Sequence, residues 1–172
     1  MQKNDYYSLA LNDLKYLQCA LNTNLYNNIA VSAQQVAEKL LKSIFEVTGV
    51  VNVEATLGSH NLKVIFSRIP VDEGLVLDIT ELAYLKDYYF EARYPGDDFV
   101  EVTKEDCDKC LRIMYTVLEQ VNTWRLKHDY EVESYNEKLC EEINEACSVT
   151  DALEELQGKD LDIAEGNAGA ET

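Results

Sequence analysis

Residues 30–45 read AVSAQQVAEKLLKSIF, and the periodicity of this stretch decides the fold. Apolar residues recur at Ile29, Ala33, Val36, Leu40, Ile44 and Val47, which is the spacing of one face of an α-helix. The helix is predicted to start near Tyr26 and to end at Gly49, a residue suited to helix termination. On its other side Gln34, Gln35, Glu38 and Lys39 form a polar group. Glu38 and Lys42 stand four apart with the acid first, the favourable order for a helical pair.

The same period extends in both directions along the chain. Upstream, Tyr7, Ala10, Leu14, Leu17 and Leu21 predict a helix from about Asp5 to the polar run Asn22-Thr23-Asn24. Downstream, residues 50–59 read as a loop or a short extended piece. His60 to Arg68 reads as a short helix with Ser59 as its cap, stopped by Pro70. A further helix is predicted from about Leu75 to Ala92, with Leu75, Ile79, Leu82, Leu85 and Tyr89 inside, and Pro95-Gly96 breaks it. Thr103 with Asp106 has the form of an N-terminal capping box. The helix it opens carries Cys107, Cys110, Met114, Val117, Val121 and Trp124 on one face. It either continues to about Cys147 or bends near His128-Asp129. These elements predict an all-α fold, an antiparallel up-and-down bundle of about five helices. Only two prolines and seven glycines in 172 residues also favour helices over a turn-rich β fold.

Charge divides the chain. Residues 1–128 hold 18 acidic and 13 basic side chains, whereas residues 129–172 hold 14 and 2, so most of the net charge of −17 sits at the C-terminal end. The expected organisation is a bundle at 1–128, an acidic helical extension at 129–157 and a disordered tail at 158–172. No basic cluster is present, so high-affinity nucleic-acid binding is disfavoured. Five cysteines, an odd count, do not read as a disulfide framework. No signal peptide or membrane span is legible, and the expected compartment is the cytoplasm. The pair Cys107 and Cys110 lies on the apolar face and reads as buried thiols rather than a metal or redox centre. No phosphate-binding glycine loop or metalloprotease motif occurs, and no cofactor is expected.

Two further motifs follow the opening stretch: Ser59-His60-Asn61-Leu62 and Ala92-Arg93-Tyr94-Pro95-Gly96-Asp97. In this order and helical context the three resemble the HEPN family, the "higher eukaryotes and prokaryotes nucleotide-binding" domain, from about Asp5 to about Trp124. The resemblance implies a homodimer, and it implies a minimal nucleotidyltransferase as partner in a toxin–antitoxin-like system. It also implies a polar groove that binds a nucleotide or similar anion through Lys39, Lys42, His60, Arg93 and Tyr94, with Gln35, Glu38 and Asp97 completing the polar motif. Arg suits such a role because its planar guanidinium grips phosphate or carboxylate at two points.

Family ribonucleases carry an Arg and a His one to two helical turns apart. The near match here is Arg125 and His128, spaced more closely and followed by acidic residues; Arg93 with His60 is the other pairing. A non-catalytic binding module is therefore the expected function. A metal-independent ribonuclease and a purely structural dimeric scaffold are the alternatives. A base-stacking role for Tyr84, Tyr88, Tyr89 and Tyr94 is weighed against simple packing of the bundle.

Overall fold

The computed structural model describes residues 5–48, 53–91 and 99–132. Among them the chain is helical: α1 is Tyr6–Ala20, α2 Tyr26–Thr48, α3 Val53–Leu57, α4 Leu62–Ser67, α5 Ile79–Glu91 and α6 Lys104–Lys127, with one 3₁₀ turn at Val71–Glu73. The all-α reading holds. No helix among the described residues is long and apolar enough to cross a membrane.

Cross-helix contacts fix the directions. Tyr6 N–H donates to Glu46 at 2.7 Å, and Lys39 pairs with Asp13, so α1 and α2 run antiparallel. Tyr7 hydroxyl donates to Asn122 at 2.9 Å, tying the start of α1 to the end of α6. Tyr84 reaches Asp106 at 2.7 Å while Val76 N–H reaches Gln120 at 2.9 Å, so α5 opposes α6. The long helices α1, α2, α5 and α6 thus run up, down, up and down, with α3 and α4 inserted in the α2–α5 connection.

α2 is the central helix and packs against all five others. The predicted stripe is buried, except that Val47 is 37% exposed. Burial extends well beyond that stripe: Leu40, Leu41, Lys42, Ser43, Ile44 and Phe45 are buried in succession, which covers the whole circumference of the helix. The predicted faces of α1 and α6 are likewise buried at Tyr7, Ala10, Leu14 and Leu17, and from Cys107 to Trp124.

Several local expectations are corrected. Residues 53–57 form α3 instead of a loop or strand. The cap of α4 is Asn61, whose side chain accepts from Lys63 and Val64 N–H; Ser59 supports it by accepting from Asn61 N–H at 3.2 Å. α5 begins at Ile79 and not Leu75, because Gly74 takes a left-handed conformation at φ 79 and turns the chain out of the 3₁₀ helix. Ile79, expected inside, is 51% exposed. α6 stops at Lys127. Asp129 adopts φ 59, and Tyr130 N–H returns to Arg125 carbonyl at 2.9 Å, so of the two sequence readings the break near His128-Asp129 is the one that agrees, and the uninterrupted helix is not formed. The remainder of the acidic extension and the tail lie outside the described residues.

The capping box that opens α6 is complete. Thr103 hydroxyl accepts from Asp106 N–H, and the Asp106 carboxylate accepts from Thr103 N–H at 3.1 Å and its hydroxyl at 2.6 Å. The Thr103 hydroxyl, followed by the Tyr84 hydroxyl, holds the Asp106 carboxyl below the usual carboxylate range. A depressed folded value means that this contribution is present above the ordinary carboxylate pKa of 3.8 and is lost as pH falls through the folded one. Asp106→Asn is expected to flatten the acid side of the stability–pH curve, and Thr103→Ala to lose about 1 kcal/mol, both measurable by urea unfolding.

Candidate functional site

The polar side of α2 does not face solvent. Gln34, Glu38 and Lys42 are 0%, 6% and 2% exposed and lie one turn apart on a single ridge. Glu38 is the hub. Gln34 Nε2 donates to one carboxylate oxygen at 3.0 Å and Lys42 Nζ to the other at 2.7 Å. His60, carried just ahead of α4, brings Nδ1 to within 3.1 and 3.2 Å of the two oxygens. Facing a carboxylate, that nitrogen is the protonated one. Gln34 Nε2 also reaches the His60 carbonyl at 3.4 Å, and Gln34 Oε1 is buried without a hydrogen-bond partner. Lys42 Nζ further stands 5.6 Å from the ring centre of Tyr6. Burial, then Glu46 and Glu38, push the Tyr6 hydroxyl pKa up, and burial raises that of Glu46.

A buried carboxylate survives only with compensation. Lys42 neutralises Glu38, so the pair presents little net charge. His60 is the solvent-facing member, with a side chain 49% exposed. The structure therefore brings Glu38, Lys42 and His60 together. Lys39 points elsewhere, to Asp13 on α1, and Gln35 is half-buried on the outer side. Arg93, Tyr94 and Asp97 lie outside the described residues.

Arg125 and His128 both lie at the C-terminal end of α6. The Arg125 guanidinium lies 3.6 Å from the Tyr7 ring centre, and its Nε donates to Glu131 carbonyl at 3.1 Å. His128 Nδ1 is 2.8 Å from Trp124 carbonyl, while Nε2 stands 3.4 Å from Glu73. Arg125 thus touches α1 and the residues after α6, and His128 touches the last turn of α6 and the 3₁₀ turn.

Tyr84 and Tyr88 pack edge to face at 5.2 Å, with Tyr88 hydroxyl donating to that of Tyr84 at 2.9 Å. Lys109 Nζ sits 3.8 Å over the Tyr84 ring. Burial and the bond to Tyr88 push the Tyr84 hydroxyl pKa far up, so this pair forms a neutral hydrogen-bonded ladder onto Asp106. Cys107 and Cys110 are buried, and burial pushes the Cys110 thiol well above its ordinary value. Among the described residues no cluster of His, Cys, Asp or Glu could hold a metal ion.

Two polar features escape the sequence pattern. Tyr6 borders the Glu38 hub only because α1 folds back on α2. Asn27 clasps the segment before α6 by donating to Val100 carbonyl at 2.9 Å and accepting from Val102 N–H at 3.0 Å. It stands in a polar run of asparagines, where nothing local marks it out.

A protein of Methanocaldococcus jannaschii named a "putative toxin" is 28% identical over 128 residues, covering 69% of this chain and 84% of that protein. No solved structure matches. The HEPN domain family matches residues 4–124, which contain the helices of the described residues up to the last turn of α6, and the chain belongs to that family.

Proposed function

We propose that the chain is a non-catalytic HEPN subunit of a toxin–antitoxin-like pair. It acts as a homodimer that binds a nucleotide or similar anion and docks a minimal nucleotidyltransferase. The observation that carries this reading is the Glu38–Lys42–His60 hub, a buried ionic network that opens to solvent at one imidazole. An apolar isostere would hold the helices at least as well, so a buried ion pair is weak support for a purely structural role. Within the site Lys42 neutralises Glu38. His60 is the solvent-facing member that meets the ligand, and Arg93 and Tyr94 are assigned to the same ligand by the family motif alone. Lys39, held by Asp13 on α1, stands apart from this cluster. The relative named as a toxin supports placing the chain in such a pair.

Thermal denaturation with nucleotides tests the reading. A nucleotide is expected to raise the melting temperature, an effect that weakens with salt because the attraction is partly Coulombic. Arg93→Ala should abolish it while light scattering still reports a folded dimer. Single-stranded RNA should remain intact. Cleavage lost in His128→Ala would transfer the function to the ribonuclease reading. Absence of any nucleotide response, with Arg93→Ala unfolding the protein, would leave the scaffold reading.

A further inference from the structure

The connection from Pro70 to Ile79 presents apolar side chains to solvent from a backbone that is held in place. Val71 and Val76, 96% and 77% exposed, are the two most exposed large apolar side chains among the described residues, and Ile79 beside them is 51% exposed. Their backbone is fixed from beneath. Leu75 and Leu77 pack against the core, so the extended residues between Gly74 and Ile79 alternate inward and outward around Val76. Val76 N–H is bound by Gln120 at 2.9 Å, and Glu73 accepts from Trp124 Nε1 at 2.7 Å. Asp78 accepts from Thr80 and Glu81 N–H and opens α5. A surface held this way loses little conformational freedom on binding.

The charges on this connection share one sign. Asp72, Asp78 and Glu81 are exposed around the valines and Ile79, and the backbone N–H groups of Thr80 and Glu81 keep the Asp78 carboxyl below the usual range, hence ionised. Lys127 beside Gly74 is the nearby cation. A second copy seated two-fold on this face would set carboxylates against carboxylates. The chain's own acidic residues beyond 132 carry the same sign, as does nucleic acid. Complementarity selects a different occupant. We propose that Val71, Val76 and Ile79 form a docking surface for a partner protein whose contact face is apolar at its centre and rimmed with Lys or Arg. The net charge of −17 would steer such a partner inward. This surface does not depend on whether a nucleotide binds near His60.

The test uses the full chain and an amphipathic helical peptide of leucines and lysines, with a scrambled peptide and oligolysine of equal charge as comparators. Binding is read by fluorescence anisotropy and mapped by backbone amide shifts. The amphipathic peptide is expected to shift amides at 71–81 and at Gln120 and Lys127, and to bind about tenfold more weakly to the double variant Val71→Ser, Val76→Ser. Oligolysine should be indifferent to that variant. Three results overturn the proposal: equal binding by the variant, shifts confined to the acidic residues after 132, or a fall in the molecular mass of the free protein on Val76→Asp, which would show that a second copy covers this face.

Discussion

Glu38→Ala is expected to destabilise the bundle by about 3–5 kcal/mol, because it leaves the Lys42 ammonium buried without its carboxylate. Lys42 is 2% exposed and has Glu38 as its ion-pair partner at 2.7 Å. On a solvated helix face the same i,i+4 pair would contribute only about 0.2–0.5 kcal/mol. The measurement separates these cases directly. Urea unfolding of Glu38→Ala should show the large loss. The double variant Glu38→Met, Lys42→Met should recover most of it, since two apolar residues of similar length need no compensation. If both variants unfold near the wild-type midpoint, the pair is solvated in solution and the hub does not exist as described.

Phe45→Ala is expected to cost about 3–5 kcal/mol through lost transfer energy and the cavity it leaves. Val47→Ala should cost far less, because Val47 is 37% exposed while Phe45 is 2% exposed. This ordering reverses the sequence reading, in which Val47 belonged to the buried stripe and Phe45 did not. Chemical denaturation of the two variants side by side checks it. A larger loss for Val47→Ala would mean that α2 is less enclosed than the structure shows.

The contrast explains how much of the fold was legible. Helices that present one face to the core announce themselves by period: α1 and α6 are readable because their buried residues recur at helical spacing. α2 is readable as a helix for the same reason, yet its spacing leaves the burial of the polar ridge open. Sequence spacing cannot distinguish a solvated Glu–Lys pair from a buried one. That depends on which elements fold over the ridge, here α1 through Tyr6 and the turn before α4 through His60. The start of α5 failed for another reason. Leu75 keeps helical spacing with Ile79, but its burial comes from an extended segment laid on α6. At the candidate site, the family motif brought Glu38, Lys42 and His60 to notice, but not their mutual geometry. The Asn27 clasp joins residues more than seventy positions apart and left no local trace.

The end of α6 has a practical consequence for spectroscopy. The chain contains one tryptophan, Trp124, which is 3% exposed, bonds Glu73 through its indole N–H at 2.7 Å, and packs near the His128 and Tyr130 rings at centroid distances of 4.5 and 6.0 Å. Its emission therefore comes from a single, defined environment and senses the 70–79 connection before it senses the bundle as a whole. Glu73→Ala should alter the emission spectrum while the far-ultraviolet circular dichroism stays native. Intrinsic fluorescence of this protein is accordingly a local reporter, and an unfolding curve recorded by it alone need not coincide with the loss of helix.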